Sequence, residues 1–280
     1  MNECKSASFI CSEATKSDEF LQFICSDADL NESRPGIQEL RNILEELKKR
    51  KASVVRAIEN RLLLNNSHYQ IFSLSPSDYA ISLAHKEIVA LLPRELQPRT
   101  GIPNILPNRT GIVLLILVAG QGVLSGADLT ESGDARLGWS RIISSPGRPN
   151  EKSNAFKIPH HGSSTSHHDG IWVDLLQPQP LSFLSSFVRG DSVLPNKSDI
   201  KRILKHTDKV WITTNPYVKK KANKRDRTVE KTIKETVKSI RSLSDKGQIR
   251  MRLDSNMSGS PWKVELFGSA IELAKCLVAN

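Results

Sequence analysis

The chain has 280 residues and a net charge of +10, with 38% hydrophobic and 25% charged residues. These values are typical of a globular protein with one large or two small α/β domains. Its longest apolar run, from Ile112 to Ala119, is far below the roughly 20 residues of a membrane-spanning helix, so no membrane partner is expected.

The N-terminus and the cysteines indicate a cytoplasmic protein. No basic segment followed by an apolar one opens the chain, so no signal peptide is predicted. No two of the four cysteines form a C-x-x-C pair, and nothing in their spacing indicates an oxidising compartment.

The N-terminal 70 residues are expected to be an irregular and then helical segment. The stretch "DEFLQFI" predicts a short helix, and apolar residues at helical spacing predict one long helix from Pro35 to about Leu64. A further helix is predicted to start at Ser75, with Pro76 in its first turn and Asp78 completing an S-x-x-D capping box.

Residues 71–218 are predicted to form an α/β core. The stretch "GIVLLILVAGQGVLSGADL" indicates a β-hairpin around a Gly-Gln-Gly turn. Strands and helices alternate after it, which favours a layered α/β architecture. In chain order we expect strand "AFKIP", helix "DGIWVDLL", strand "LSFLSSF", helix "KSDIKRILKHT" capped by Ser198, and strand "KVWITTN".

Residues 219–280 are expected to form a basic helix followed by two strands, "GQIRMRL" and "WKVELFG", and a short C-terminal helix. Residues 201–250 hold sixteen Lys and Arg and five Asp and Glu, a net charge of +11. Such a block suits either a polyanion such as nucleic acid or a solvated helical face. Within it, Lys219, Lys220 and Lys221 are the predicted phosphate contacts.

Polar residues follow two of the predicted strands directly. Asp128 comes after "GVLSGA", and His160 and His161 come after "AFKIP". Strand ends open onto one edge of an α/β sheet, where side chains from separate segments can meet. A carboxylate and imidazoles at such an edge suit zinc, manganese or iron, although a single residue of this kind is more often a loop cap.

The same segments resemble a known family. "FKIPHHGSSTS" is similar to the K-x-P-H-H-G-S element of metallo-β-lactamase-fold hydrolases, and most of all of competence-type (ComEC-like) hydrolase domains. The stretch "NRTGIVLLILVAGQGVLSGADL" resembles the preceding hairpin of that fold, with Gly-Ala-Asp in place of Gly-Asp. A bacterial subgroup of stand-alone relatives also resembles "VLPNKSDIKRILKHTDKVWITT" and "WKVELFGSA". The resemblance covers roughly residues 70–215 well and the ends loosely.

The resemblance implies an αββα sandwich with a dinuclear site for Zn²⁺ or Mn²⁺. Asp128 would bridge the two metals, and either His160 or His161 would bind one of them. Ser163 would orient the loop or contact a substrate anion. By alternation along the strand "AFKIP", Lys157 is expected to point outward as an ordinary surface residue. The expected reaction is attack of metal-bound hydroxide on an ester-like bond, with a phosphodiester or nucleic acid favoured.

The chain departs from the family in one respect, because H-x-H-x-D-H, which carries most of the metal ligands, is absent. None of the other histidines stands in such a setting: His68, His85, His167, His168 and His206. His167, His168 and Asp169 are expected to be cap and surface residues, with replacement ligands as the alternative.

Three interpretations remain open for a site so incomplete in this chain. It is one half of a split hydrolase completed by a partner polypeptide, a catalytically inactive remnant that acts as a nucleic-acid-binding or scaffold protein, or a homodimer that completes its own site. Whether the chain is an enzyme when alone is left undecided by its sequence.

Overall fold

A computed structural model describes seven segments of the chain: residues 8–15, 35–50, 54–91, 107–218, 226–236, 246–254 and 262–278. The chain divides into two compact units, residues 1–180 and 181–280. The predicted short helix at "DEFLQFI" and the phosphate contacts Lys219, Lys220 and Lys221 lie outside the described residues.

The first unit is built around a mixed sheet whose antiparallel part comes first in the chain. The strands are β1 (Phe9–Ser12), β2 (Val54–Ala57), β3 (Arg61–Asn65), β4 (Tyr69–Ser73), β5 (Leu114–Val118), β6 (Gln121–Ser125), β7 (Ser153–Lys157) and the start of β8 (Leu176–Leu184). The helices are α1 (Pro35–Lys49), α2 (Asp78–Leu91) and α3 (Gly138–Ser144). The strand order is β8-β7-β6-β5-β4-β3, and β1 and β2 form a separate parallel pair.

The predicted hairpin is confirmed as β5 and β6, which pair antiparallel from Leu114↔Ser125 to Val118↔Gln121. Its turn lies one residue earlier than expected, at Ala119-Gly120, where both residues have positive φ. Strand β7 then pairs with β6 in parallel. The connection between β6 and β7 carries helix α3, whose Trp139 is fully buried and donates from Nε1 to the carbonyl of Leu129 at 3.2 Å.

The long helix predicted from Pro35 to Leu64 is wrong beyond Lys49. Helix α1 ends there, and the described residues from Val54 to Asn65 form β2, a turn and β3. The apolar spacing of Val54 and Ile58 agrees with a helical period by coincidence. Val54 and its β-branched neighbour Val55 pair with β1, and this strand pairing outweighs the local helical pattern.

The predicted cap of helix α2 is displaced, although the helix itself is present. Helix α2 begins at Asp78, and Ser77 caps it by accepting from the amide of Ala80 at 3.2 Å. Ser75 instead links two loops, because its Oγ donates to the carbonyl of Gly111 at 2.6 Å and accepts from the amide of Val113 at 2.8 Å.

The second unit contains the end of β8 and a set of shorter elements. They are β9 (Phe187–Arg189), β10 (Ser192–Leu194), α4 (Lys197–Leu204), β11 (Val210–Ile212), α5 (Arg227–Thr236), β12 (Gln248–Leu253), β13 (Trp262–Phe267), β14 (Ile271–Glu272) and α6 (Lys275–Val278). Strand β11 pairs with β8 in parallel and with β14 antiparallel, while β9-β10 and β12-β13 are separate two-stranded sheets. Helix α4 is capped by Asn196, in a capping box with Asp199, and not by Ser198.

The coarse prediction of an α/β protein is confirmed, since each unit contains paired strands with helices between them in the described chain. The stretch "DGIWVDLL" is helical as predicted, with π-helical geometry over Ile171–Leu175, before β8 begins. Among the described residues, no helix is both long and apolar enough to cross a membrane.

Candidate functional site

The two strand ends singled out in the sequence meet at one edge of the sheet. Strands β6 and β7 are parallel neighbours in the register Ser125↔Lys157, so the segments that follow them leave the sheet together. The amide of Gly126 donates to the carbonyl of Lys157, and the amide of His160 donates to the carbonyl of Ala127, both at 3.0 Å. We call residues 126–128 and 158–165 the loop pair. It brings the loops that carry Asp128 and His160 side by side, as predicted.

The backbone of the loop pair is held in an uncommon conformation. Ala127, His160 and His161 have φ values of +46°, +45° and +56°. Non-glycine residues in this left-handed region cost about 1–2 kcal/mol each, and such residues concentrate at functional sites. The strain persists because the two hydrogen bonds between the loops fix Ala127 and His160 at the same time.

Gly126 permits the close approach of the two loops. A Cβ atom at this position would lie 2.9 Å from Cβ of Pro159 and 3.0 Å from the carbonyl oxygen of Lys157. Neither a proline ring nor a strand carbonyl can move away at low cost, so a side chain here would force the loops apart. Glycine at this position is therefore a requirement of the site's geometry.

Lys157 does not point outward as an ordinary surface residue, which corrects the prediction from strand alternation. Its Nζ donates to the carbonyl of Ala127 at 3.0 Å and lies 3.9 Å from Oδ1 of Asp128. Alternation assumes an uncovered sheet face, but here the loop of residues 126–128 folds over the end of β7. The Lys157 side chain is only 28% exposed, and burial lowers its pKa while Asp128 acts in the opposite direction.

His160 contacts side chains from two other positions of the chain. Its Nδ1 lies 3.1 Å from Oγ1 of Thr165, and its Nε2 lies 3.4 Å from Nδ2 of Asn108. An Asn108 amide that donates to Nε2 requires the proton of the neutral ring on Nδ1, where Oγ1 of Thr165 can accept it. Burial lowers the pKa of His160, Asp128 opposes that shift, and His161 and Lys157 add to it.

His161 lies beside His160, with 6.3 Å between the ring centroids and 56° between the ring planes. The Asp128 side chain is 46% exposed. In the described part of the chain, Asp128, His160 and His161 do not bring one ligand atom each within 4.8 Å of one another. The three residues share one loop pair but are not gathered as a chelating set.

Thr165 and Asn108 are site residues that the sequence reasoning missed. Thr165 follows the H-H-G-S element closely, and Asn108 lies in a one-turn 3₁₀ helix before β5. Nothing in the local sequence pattern distinguishes either residue from its neighbours. Their role depends on contacts with His160 that only the folded chain supplies.

Ser163 is buried, with 8% of the residue exposed. Its Oγ accepts from the amide of Thr165 at 3.3 Å and lies 3.0 Å from Oγ1 of the same residue. These contacts fit the loop-orienting role given to Ser163, since they hold the threonine that contacts His160. Contact between Ser163 and a substrate anion stays a prediction.

The three residues considered as replacement ligands occupy the segment before the π-helical turn. Nδ1 of His168 accepts from the amide of Gly170 at 3.0 Å, as a capping side chain does. Nε2 of His167 lies 3.0 Å from Oδ1 of the exposed Asp169. His168 therefore fits the expected cap position, whereas a role of His167 and Asp169 as replacement ligands stays a prediction.

Comparisons with known proteins identify no family for this chain. No family model, no curated protein and no solved structure matches it. The geometry of the loop pair and the resemblance of its motifs therefore carry the functional argument.

Proposed function

We propose that this chain is a subunit of a metal-dependent hydrolase with a metallo-β-lactamase-like αββα fold, acting on phosphodiesters. The observation that supports this best is the loop pair, in which parallel strands bring the loops carrying Asp128 and His160 together in a strained, hydrogen-bonded backbone. Strain of this kind is costly, and it is most often retained where it orients reacting groups.

The donor chemistry of the loop pair fits part of a site for Zn²⁺ or Mn²⁺. A carboxylate and a neutral imidazole are suitable ligands for both ions. Between the two histidines, we propose His160 as the ligand, because its Nδ1 contacts Thr165 and its Nε2 could exchange the contact with Asn108 for a metal ion. Metal-binding histidines are commonly oriented by such a contact on the other ring nitrogen.

The ligand set is incomplete within this sequence, so we propose that a second polypeptide supplies the rest. The sequence lacks H-x-H-x-D-H, and ligand number strongly affects metal affinity. A divalent ion held at the completed site would supply Lewis-acid activation of the phosphodiester and of water. Within this chain, Asp128 and His160 would hold the ion, and Thr165 would keep the His160 ring in place.

A second candidate function is favoured by the position of Lys157. Its ammonium group lies 3.9 Å from Asp128 and already provides a positive charge beside that carboxylate. A chain that keeps this arrangement permanently would not bind metal and would act as a nucleic-acid-binding or scaffold protein without turnover.

Metal content distinguishes the two functions. We would measure zinc and manganese by mass spectrometry on the chain purified alone and after co-expression with the protein encoded immediately upstream. For a split site we expect almost no metal alone and about two ions per complex, the number in a dinuclear centre. Almost no metal in both samples would exclude the hydrolase proposal and leave the second candidate.

Variants then test the ligand assignment within such a complex. Asp128→Ala and His160→Ala should each remove metal and hydrolysis of a bis(p-nitrophenyl) phosphate probe. The matched control is Asp134→Ala, since Asp134 lies in the same unit on an exposed loop and pairs with Arg136. Unchanged metal content in Asp128→Ala would contradict the assignment.

A further inference from the structure

The second unit contains a two-stranded antiparallel sheet that does not pair with any strand of the large sheet. Strands β12 and β13 pair from Gln248↔Phe267 to Leu253↔Trp262. No third strand joins them among the described residues. We call this pair of strands the ribbon.

The register of the ribbon separates its side chains into two faces. Residues directly opposite each other in an antiparallel pair project to the same side, and successive residues alternate. One face is wholly apolar and holds Ile249, Met251, Leu253, Trp262, Val264 and Leu266. The other face is polar and charged, and it holds Gln248, Arg250, Arg252, Lys263, Glu265 and Phe267.

The charged face carries three cations around a single carboxylate. Glu265 lies 3.8 Å from Arg250, 3.3 Å from Arg252 and 3.4 Å from Lys263. Its Oε2 accepts no hydrogen bond from the described residues. The side chains of Arg252 and Lys263 are 60% and 73% exposed. Because both cations are largely exposed, they remain accessible to a second anion beside Glu265, whose own side chain is only 27% exposed.

Arg250 is oriented by an aromatic ring on the same face. Its guanidinium carbon lies 4.5 Å from the centroid of Phe267, which is itself exposed. A guanidinium stacked in this way keeps donors at its edge for phosphate oxygens. The arrangement reduces the rotamer freedom that Arg250 would lose when it binds an anion.

The ribbon is fixed at its base to the rest of the second unit. A Cβ atom at Gly247 would overlap the carbonyl oxygen of Thr213, which directly follows β11. The ribbon therefore leaves the body of the unit at a tight backbone contact. Its charged face is thus presented by an anchored element.

We propose that the charged face of the ribbon binds the phosphate backbone of double-stranded nucleic acid. A two-stranded ribbon has the width that the major groove of a duplex admits. The net charge of +11 in residues 201–250 adds an electrostatic field of the same sign. As a surface that holds substrate, the ribbon rests on the proposed function, whereas binding itself is measurable without turnover.

The test measures binding of the full chain to a fluorescent duplex of about 20 base pairs by anisotropy, in EDTA and over a salt series starting at about 50 mM. Arg252→Ser combined with Lys263→Ser should weaken binding about tenfold and reduce the slope of log K against log salt by about 2. Glu265→Gln should tighten binding about threefold, because it removes the competing carboxylate.

The matched control is Lys201→Ser combined with Lys209→Ser, which removes the same charge from exposed positions of the same unit. It should change the slope by less than half as much. Equal weakening by the control would overturn the proposal, because it would show a general charge effect. Absence of duplex binding at low salt, or tighter binding of a single strand or an acidic protein, would also overturn it.

Two comparisons separate this proposal from the hydrolase proposal and from misfolding. Binding is measured in EDTA, without metal or turnover, so a chain that binds duplex but never hydrolyses it refutes only the proposed function. Glu265→Gln should act in the opposite direction to the double variant. Unfolding is not expected to tighten binding, so a failure of both variants to shift affinity in opposite directions would refute the role of the ribbon.

Discussion

The loop pair of the first unit and the ribbon of the second both present polar side chains, but they hold them in opposite ways. At the loop pair, His160 and the preceding strand residue Lys157 are held by hydrogen bonds and partly buried, and the backbone is strained. In the ribbon, the exposed cations Arg252 and Lys263 meet one carboxylate at distances above 3.2 Å. Reactive groups require fixed positions, whereas phosphate-binding groups require charge and access.

The difference indicates how each region should respond when one of its interactions is removed. A fixed arrangement depends on each contact, because removal of one partner leaves a partly buried donor or acceptor unsatisfied. A loosely held group of charges depends on their sum and on the ionic strength of the solution. Mutations should therefore affect stability and site geometry in the loop pair, and salt-dependent binding in the ribbon.

The largest effect on stability is expected from Gly126→Ala, which prevents the close approach of the two loops. The added methyl would contact Pro159 and the carbonyl of Lys157, and we expect a loss of about 2 kcal/mol in the free energy of unfolding. Gly147→Ala is the control, since its nearest neighbours are side-chain atoms of Asn60. Urea denaturation followed by circular dichroism measures the free energy of unfolding of both variants. Equal losses of stability in the two variants would show that the loop contact at Gly126 is unimportant.

Lys157→Met is expected to have a smaller effect on stability and a distinct effect on metal uptake. It removes the hydrogen bond to Ala127, which should cost about 1 kcal/mol. It also removes the cation beside Asp128, so zinc should bind more tightly in a calorimetric titration of the chain alone. Lys152→Met is the control, because Lys152 is exposed and bonds to the carbonyl of Val173. Unchanged zinc affinity would show that Lys157 does not compete with a metal at Asp128.

Thr165→Val tests how His160 is oriented. Loss of the Oγ1 contact with Nδ1 should cost less than 1 kcal/mol, since Thr165 is exposed. The clearer result should be spectroscopic, with nitrogen chemical shifts showing a greater share of the tautomer protonated at Nε2. Thr165→Ser keeps the hydroxyl and should preserve the original tautomer. An unaltered tautomer in Thr165→Val would show that Thr165 does not orient the His160 ring.

The smallest effect concerns an exposed ion pair in the first unit, which resembles those of the ribbon in its access to solvent. Hydrogen bonds from the side chain and backbone of Arg136 lower the pKa of Asp134 from 3.8 to about 2. Because the pKa of Asp134 is lower in the folded state than in the unfolded state, its ionised carboxylate stabilises the folded protein at pH values above the unfolded-state pKa. This stabilisation is lost as the pH falls through about 2. Carboxyl titration by NMR should show this shift, and Arg136→Met should largely reverse it; an unchanged titration would refute the pairing.

Local patterns predicted the elements of this chain better than their connections. The hairpin of β5 and β6 was predictable because an apolar run on each side of a glycine turn has few alternatives. The end of α1 was not predictable, because β2 pairs with β1 from a distant part of the sequence. The cap at Asn196 was missed although the adjacent Ser198 made a helix start evident.

For the site, the sequence predicted which loops meet but not how they are held. Asp128 and His160 follow strands, and strand ends share a sheet edge, so their proximity follows from topology. The roles of Lys157, Thr165 and Asn108 arise from hydrogen bonds across loops. No periodicity encodes such contacts, and the alternation rule gave the wrong direction for Lys157.

The parallel pairing of β6 and β7 also has a consequence for the order of folding. Parallel neighbours cannot be joined by a tight turn, so the residues between them must close a crossover before the strands pair. Such non-local contacts form late, because the entropy of loop closure is lost before the contacts compensate for it. A nascent or partly folded chain would therefore lack the site. Formation of the site would indicate that the strands of the first unit have paired.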